Sequence, residues 1–315
     1  MSELLLLKKE DCKSCYKCIR ECALKSIRFA ENRAQIVENE CVYCGHCYVV
    51  CPQSAKEIRS DTARAKALIA SGRPVVVSLA PSFIADFPVS GLAEMRRALT
   101  ALGFAEVEET ARGARIVKSE YERMIASGEH RLIISSCCHS VNLLIQKRYP
   151  RALQYLARVD SPMVAHAKSI KARMPGAAVV FIGPCVSKKD EAERCGQVDC
   201  VLTFDELTDW LQEAGVPLGE SGALDGTEAR SRFFPTPGGI IKSMDQQADF
   251  TYIPIDGLRR CMDALEEIER GGMENCFVEM NACEGSCIGG PVMHRYHREP
   301  ITCKTRVDHY GGRSG

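Results

Sequence analysis

The segment Cys12-x2-Cys15-x2-Cys18-x3-Cys22 recurs as Cys41-x2-Cys44-x2-Cys47-x3-Cys51, 29 residues further along the chain. A 4Fe-4S cubane needs four thiolates, and three closely spaced cysteines wrap one face of it while the fourth arrives from elsewhere. In the two-cluster form of this pattern the fourth ligand is exchanged between the halves. Cys12, Cys15, Cys18 and Cys51 are therefore expected to hold one cluster, and Cys41, Cys44, Cys47 and Cys22 the other. Zinc in the same eight cysteines is the competing reading, because tetrahedral thiolate sites suit both metals; the doubled x2, x2, x3 spacing favours iron and sulfide. Pro52 follows the last cysteine of the second half, and Ala23 stands in that place in the first. Two such clusters relay electrons, so the module implies a redox centre in the rest of the chain.

The remaining cysteines of the eighteen also fall partly in short groups, which favours metal over disulfide and a reducing cytoplasm. Lysine plus arginine and aspartate plus glutamate both number 41, leaving no net field to attract nucleic acid or an anionic membrane. The apolar run Leu4 to Leu7 is too short for a signal-peptide core or a membrane span and reads as a first strand. At 315 residues the chain has room for more than one unit. Lys56 to Ser71 reads as a helical connector closed by Gly72-Arg73-Pro74, and the boundary is placed near residue 60, giving units 1–60 and 61–315.

From Val75 onward short β-branched runs alternate with amphipathic stretches, the pattern of parallel α/β architecture. Strands are expected at Val75–Leu79, Ala105–Glu109, Leu132–Ser135, Ala177–Ile182, Asp199–Leu202, Thr251–Ile255 and Cys276–Met280. Helices are expected at Leu92–Leu102, Ile116–Ala126, Pro162–Arg173, Asp205–Ala214 and Leu258–Arg270, with a Gly- and Pro-rich loop over Gly215–Gly239 and a flexible tail over Tyr310–Gly315. Ala80-Pro81-Ser82, Ser136-Cys137-Cys138, Gly183-Pro184-Cys185 and Ala282-Cys283 each sit just past the carboxyl end of an expected strand. Open parallel sheets bind ligands at that edge, so four distant segments should deliver cysteines to one place.

Three segments, Ser135-Ser136-Cys137-Cys138-His139, Gly183-Pro184-Cys185-Val186-Ser187-Lys188-Lys189 and Glu279 to Gly290, follow one another in the order and at separations comparable to the motifs of the FeFe-hydrogenases, which the chain resembles over nearly its whole length. The resemblance implies a ferredoxin-like α+β module followed by a two-lobed, parallel-sheet catalytic domain with the cofactor between its lobes. It implies an H-cluster, a 4Fe-4S cubane joined through a cysteine sulfur to a two-iron unit with CO, cyanide and a bridging azadithiolate. By position, Cys138, Cys185, Cys283 and Cys287 would be the cubane ligands, with Cys287 bridging, and Cys137 would pass protons to and from the bridging amine. Lys188 and the Ser82 hydroxyl suit hydrogen bonding to cyanide. Ala80, Pro81, Gly289 and Gly290 would leave room for the cofactor. H2 and protons would be the substrates, electrons would pass to an external partner such as ferredoxin, and a signalling partner is a further expectation.

Several positions depart from the catalytic members of that family. His139 replaces a proline, Gly183 and Asn281 replace methionines, and Pro291-Val292-Met293-His294 replaces the usual Gln-Pro ending. Tyr121 and Met124 fall where two relay acids would align, although Glu120 and Glu122 lie on the same helix. The departures resemble the divergent, sensory branch and imply slow turnover. The alternatives are a hydrogenase-related electron-transfer or cluster-assembly protein without the two-iron unit, and a ferredoxin-linked subunit whose larger domain docks a partner. Cys195, Cys200, Cys261, Cys276 and Cys303 match no motif and read as incidental thiols, and His294, His297 and His309 with Cys303 lack a diagnostic metal spacing.

Overall fold

The computed structural model describes residues 4–219 and 229–312, and in it the amino-terminal cysteine repeat is also a repeat of backbone shape. Ser14 and Tyr43 have φ of 54° and 54°, Tyr16 and Gly45 of 61° and 75°, Lys25 and Ser54 of 55° and 50°. Each pair is 29 residues apart. Left-handed residues between ordinary ones turn successive N–H groups inward, forming the concave nests found at iron–sulfur sites. A short helix follows in each half, Lys17–Glu21 and His46–Val49. Four strands, β1 (Leu5–Leu7), β2 (Ile27–Ala30), β3 (Arg33–Ile36) and β4 (Lys56–Ile58), pair antiparallel as β1 with β4 and β2 with β3.

The expectation of one helical connector over Lys56–Ser71 is corrected by β4. Only Thr62–Ala70 is helical. The unpaired backbone of β1 is a stronger claim on residues 56–58 than their local helix propensity, and the pairing buries Lys56, whose ammonium donates to the carbonyl of Ala34 at 2.8 Å.

Seven strands follow: β5 (Val75–Leu79), β6 (Glu106–Glu109), β7 (Leu132–Ile134), β8 (Ala178–Gly183), β9 (Cys200–Thr203), β10 (Thr251–Asp256) and β11 (Cys276–Asn281). All pair in parallel, in two sheets ordered β6-β5-β8-β9 and β10-β11-β7, which are the two expected lobes. β5 and β8 are buried at every residue, as strands covered on both faces must be. Helices occupy Leu92–Ala101, Ala111–Ala126, Pro162–Arg173, Phe204–Glu213 and Leu258–Arg270. Phe204–Glu213 opens on a capping box in which Thr203 and Glu206 satisfy each other's backbone N–H groups.

Besides shorter turns, the sequence does not anticipate the helices His139–Arg148, Ser187–Cys195 and Pro300–Tyr310. The last corrects the expected tail: Tyr310 is 0% exposed, its phenol donates to Glu109, and the Arg232 guanidinium stacks 3.9 Å from its ring. Residues 313–315, and 220–228 of the expected loop, lie outside the described residues. The rest of that loop contains a helical turn, Arg230–Phe233, and leads into Gly239–Ser243. Among the described residues no helix is long and apolar enough to cross a membrane.

Polar contacts seat the amino-terminal module on the larger unit. The Arg59 guanidinium donates to Glu193 at 2.6 Å, the Tyr48 phenol donates to Asp205 at 3.1 Å, and Lys147 donates to the Cys41 carbonyl at 2.6 Å. The second half of the repeat is thereby held against the larger unit's cysteine segments.

Candidate metal centre

Four segments leave β5, β7, β8 and β11 at their carboxyl ends, β5 ending beside β8 in one sheet and β11 running past the end of β7 in the other. The Ala80 N–H donates to Ile182 of the neighbouring strand at 2.9 Å, and the Ser135 N–H to Val278 at 2.9 Å. Each strand end then turns sharply. Phe83 N–H closes on the Ala80 carbonyl at 3.0 Å, which places Ser82 at the edge, and Ala282 N–H lies 3.5 Å from the Cys138 sulfur across the second sheet.

The result gathers Cys138, Cys185, Cys283 and Cys287. Burial, then Cys185, pushes the Cys138 thiol up; burial, then Cys185, Cys138, Cys287 and Cys44, pushes Cys283 well up; burial, then Cys185 and Cys138, does the same to Cys287. Thiols so crowded resist ionising alone and become thiolates readily only around a cationic centre. The amino-terminal cysteines gather likewise. Burial, then Cys51, Cys12 and Cys15 against the opposing charge of Lys56, raises Cys18, while Cys41 and Cys22 join burial in raising Cys44 to about 12. These are the two quartets expected from ligand exchange. A cavity of about 400 Å³ is lined by Cys22, Cys41, Cys44, Cys47 and Cys283, so the second quartet adjoins the third.

All eighteen cysteines are free thiols. Among the described residues no three His, Cys, Asp or Glu side chains converge on one metal-ion position. A cubane, whose four thiolates each bind a different iron, asks for wider spacing than a zinc ion does. Two further observations fit a bound group at the third quartet. The hydroxyls of Ser82 and Ser286 are both 0% exposed and have no hydrogen-bond partner among the described residues. Gly290 stands where a Cβ would lie 2.8 Å from the Pro184 carbonyl, and Gly289 where it would lie 1.8 Å from that of Glu284, so larger residues would break the loop around Cys287.

Cys137, next to Cys138, bears on Cys287 while bonding outside the quartet. Its sulfur lies 3.2 Å from the Tyr121 phenol, and burial pushes its thiol up to about 12, so it keeps its proton at neutral pH. The Tyr121 oxygen also accepts the Ser136 N–H at 2.9 Å and lies 3.1 Å from the Ser136 hydroxyl, which donates to the Val159 carbonyl at 2.7 Å. That chain ends on a backbone acceptor. Lys188 donates to the Cys137 carbonyl at 3.0 Å and pairs with Glu191. Burial works against its charge, but Glu191 and then Cys185 hold its pKa above the ordinary lysine value. One of its three N–H donors is left for another acceptor.

Asn281, Gly183 and His139 each have neighbours of their own. Asn281 donates to Glu279 at 3.2 Å, whose other oxygen accepts the Ile241 N–H at 3.0 Å. Burial pushes Glu279 up to about 8, and Glu279 in turn bears on Cys137. A Cβ at Gly183 would lie 2.7 Å from the Phe181 ring, which has taken the space of a larger residue there. His139 is bonded to Asp190 at 2.7 Å, which also holds Arg194. Glu120 pairs with Arg123, and Glu122 with Lys118 and the Asp245 N–H, leaving neither on Cys137. Cys195, Cys200, Cys261, Cys276 and Cys303 each donate to a backbone carbonyl, and His294 pairs with Asp205. Sequence reasoning did not single out Tyr121 as a partner of Cys137, nor Glu279 or Ser286. A serine between two motif cysteines was the visible signal for Ser286.

The profile of the iron only hydrogenase large subunit, C-terminal domain, matches residues 73–251 and 242–291, and that of a 4Fe-4S dicluster domain matches residues 4–64. The chain is 26% identical over 344 residues to the NADP-reducing hydrogenase subunit HndD of Solidesulfovibrio fructosivorans, covering 86% of this chain and 59% of that subunit. It thus spans about three fifths of that relative's length. It is 26% identical over 342 residues to the cytosolic iron-sulfur assembly component 3 of Rattus norvegicus, covering 82% and 71%. Among solved structures, an FeFe-hydrogenase studied for oxygen inactivation of its H cluster aligns with TM-score 0.62 at 19% identity, over 79% of this chain and 89% of that one. A variant of the FeFe-hydrogenase HydA1 of Chlamydomonas reinhardtii aligns with TM-score 0.60 at 18% identity, over 78% and 88%. These likenesses show the fold.

Proposed function

From the premise that the chain belongs to the iron-only hydrogenase family and carries a ferredoxin-type dicluster domain, we propose that it binds H2 and interconverts it with protons and electrons, slowly and in a sensing role. The observation that carries this reading is the meeting of Cys138, Cys185, Cys283 and Cys287 beside the Cys137 thiol, the Lys188 ammonium and the unpartnered Ser82 hydroxyl. When bound, the clusters supply one-electron relay and the two-iron unit supplies the chemistry of H2 = 2 H+ + 2 e−.

The protein's own residues bind, orient and hold protons. Residues 1–60 hold two cubanes through Cys12, Cys15, Cys18, Cys51 and Cys41, Cys44, Cys47, Cys22. Residues 61–315 hold the third through Cys138, Cys185, Cys283 and Cys287. Lys188 and Ser82 would hold the two-iron unit by donating to its cyanides, and Ala80, Pro81, Gly289 and Gly290 would leave it room. Cys137 keeps a proton on its sulfur and would pass it to and from the bound group. Its onward neighbour is a phenol, and among the described residues no carboxylate hydrogen-bonds to its sulfur, which supports slow proton exchange. A soluble electron carrier such as a ferredoxin, a signalling partner and a cytoplasmic setting complete the reading.

Reconstitution with the two-iron unit, followed by assays of H2 oxidation and proton reduction, tests it. Rates equal to those of fast family members would remove the sensing role. A second reading, cluster handling without the two-iron unit, is supported by the likeness to an iron-sulfur assembly component. It leaves the Ser82 hydroxyl and the Cys137 thiol without a purpose.

A further inference from the structure

We infer that the Ser286 hydroxyl donates a hydrogen bond to a sulfur of the cluster held by Cys138, Cys185, Cys283 and Cys287, and so raises that cluster's reduction potential. The inference rests on the cluster assignment above and goes beyond it by giving a role to a residue that no motif marks.

Ser286 lies between Cys283 and Cys287 and opens the single helical turn Ser286–Gly289. Its φ is 59°, directly after Gly285 at 80°. Glycine adopts that conformation freely, whereas a serine there is strained and persists only where its surroundings fix it. The loop supplies that constraint. Ser286 N–H donates to the Cys283 carbonyl at 3.0 Å, Ile288 N–H to Pro235 at 3.0 Å, and Gly290 N–H to Cys287 at 3.0 Å.

The side chain adds a second cost. It is 0% exposed, and its oxygen has no hydrogen-bond partner among the described residues. A buried hydroxyl without an acceptor is destabilising, and its own backbone neighbours are already engaged. A strained serine that gains nothing from the protein is explained by an acceptor that occupies the space between the two cysteines. The sulfide and thiolate sulfurs of a cubane are such acceptors, and carry more negative charge when reduced. A hydroxyl donor therefore stabilises the reduced cluster more than the oxidised one. The consequence is directional, because raising the potential of the innermost cluster draws electrons toward Cys287.

The test uses the full chain carrying its iron–sulfur clusters, before any two-iron unit is loaded, in anaerobic redox titrations followed by electron paramagnetic resonance. Ser286→Ala removes the hydroxyl, and Ser286→Gly removes it while suiting the left-handed backbone, which keeps the test open should the alanine variant misfold. In each variant one of three one-electron steps should move to lower potential and the other two should stay. At the original midpoint of that step the reduced-to-oxidised ratio should fall about three- to tenfold, tenfold being about 59 mV. An exchangeable-proton coupling seen at that cluster in water, and absent in deuterium oxide, should vanish with the hydroxyl. Three steps of which none moves would overturn the inference and leave the cluster assignment standing. Iron for two clusters and only two steps in the unsubstituted protein would overturn both.

Discussion

The Tyr121 phenol oxygen lies 3.2 Å from the Cys137 sulfur, and Tyr121 is itself 0% exposed. Burial, reinforced by Cys137, holds that phenol well above its ordinary pKa, so it remains a neutral donor and acceptor. Tyr121→Phe leaves the Ser136 N–H without the acceptor it has at 2.9 Å. A loss of about 1–3 kcal/mol is expected in denaturant titrations of the cluster-loaded protein. An unchanged midpoint would show that this bond is not made. Cys137→Ala should abolish H2 turnover while the infrared bands of a loaded two-iron unit persist.

Lys188 and Glu191 form an ion pair whose side chains are each only 11% exposed. Removing one member strands the other, so Lys188→Met should cost about 3–5 kcal/mol of stability. The double variant Lys188→Met with Glu191→Gln should recover much of that loss, yet still release the two-iron unit faster than the unsubstituted protein. Equal retention in the double variant would remove Lys188 from the binding site.

Glu279 gives a pH signature of definite sign. Its folded pKa is raised to about 8, while an unfolded glutamate titrates near about 4.3. Between those values the folded protein keeps a proton that the unfolded chain has lost, so stability declines as pH rises and levels off beyond about 8. Glu279→Gln removes that slope. Relative to the unsubstituted protein it should gain stability at about pH 8 and little at about pH 5, where the folded and unfolded forms differ least in their accumulated penalty. An equal difference at both would contradict the shift.

The strands were legible because buried parallel strands are β-branched runs bounded by turn residues, and Val75–Leu79 was read to the residue. β4 was not, because residues 56–58 become a strand only through a pairing with residues 5–7, far away in sequence. Ser187–Cys195 was missed for the opposite reason. It buries Lys189, Asp190 and Glu191, which inverts the pattern that marks an amphipathic helix. At the metal centre, spacing grouped the eight amino-terminal cysteines, and the resemblance to a family grouped Cys138, Cys185, Cys283 and Cys287. The bond between Tyr121 and Cys137, and the stranded hydroxyl of Ser286, depend on burial and on partners that spacing does not encode.

In the proposed function Cys138, Cys185, Cys283 and Cys287 hold a cubane that carries a two-iron unit. Infrared spectroscopy of the full chain, loaded with that unit and freed of excess, addresses it directly. The account expects sharp bands of iron-bound CO and cyanide that shift under H2 and are lost in Cys287→Ala. A protein with iron for three clusters that retains no such bands would contradict it.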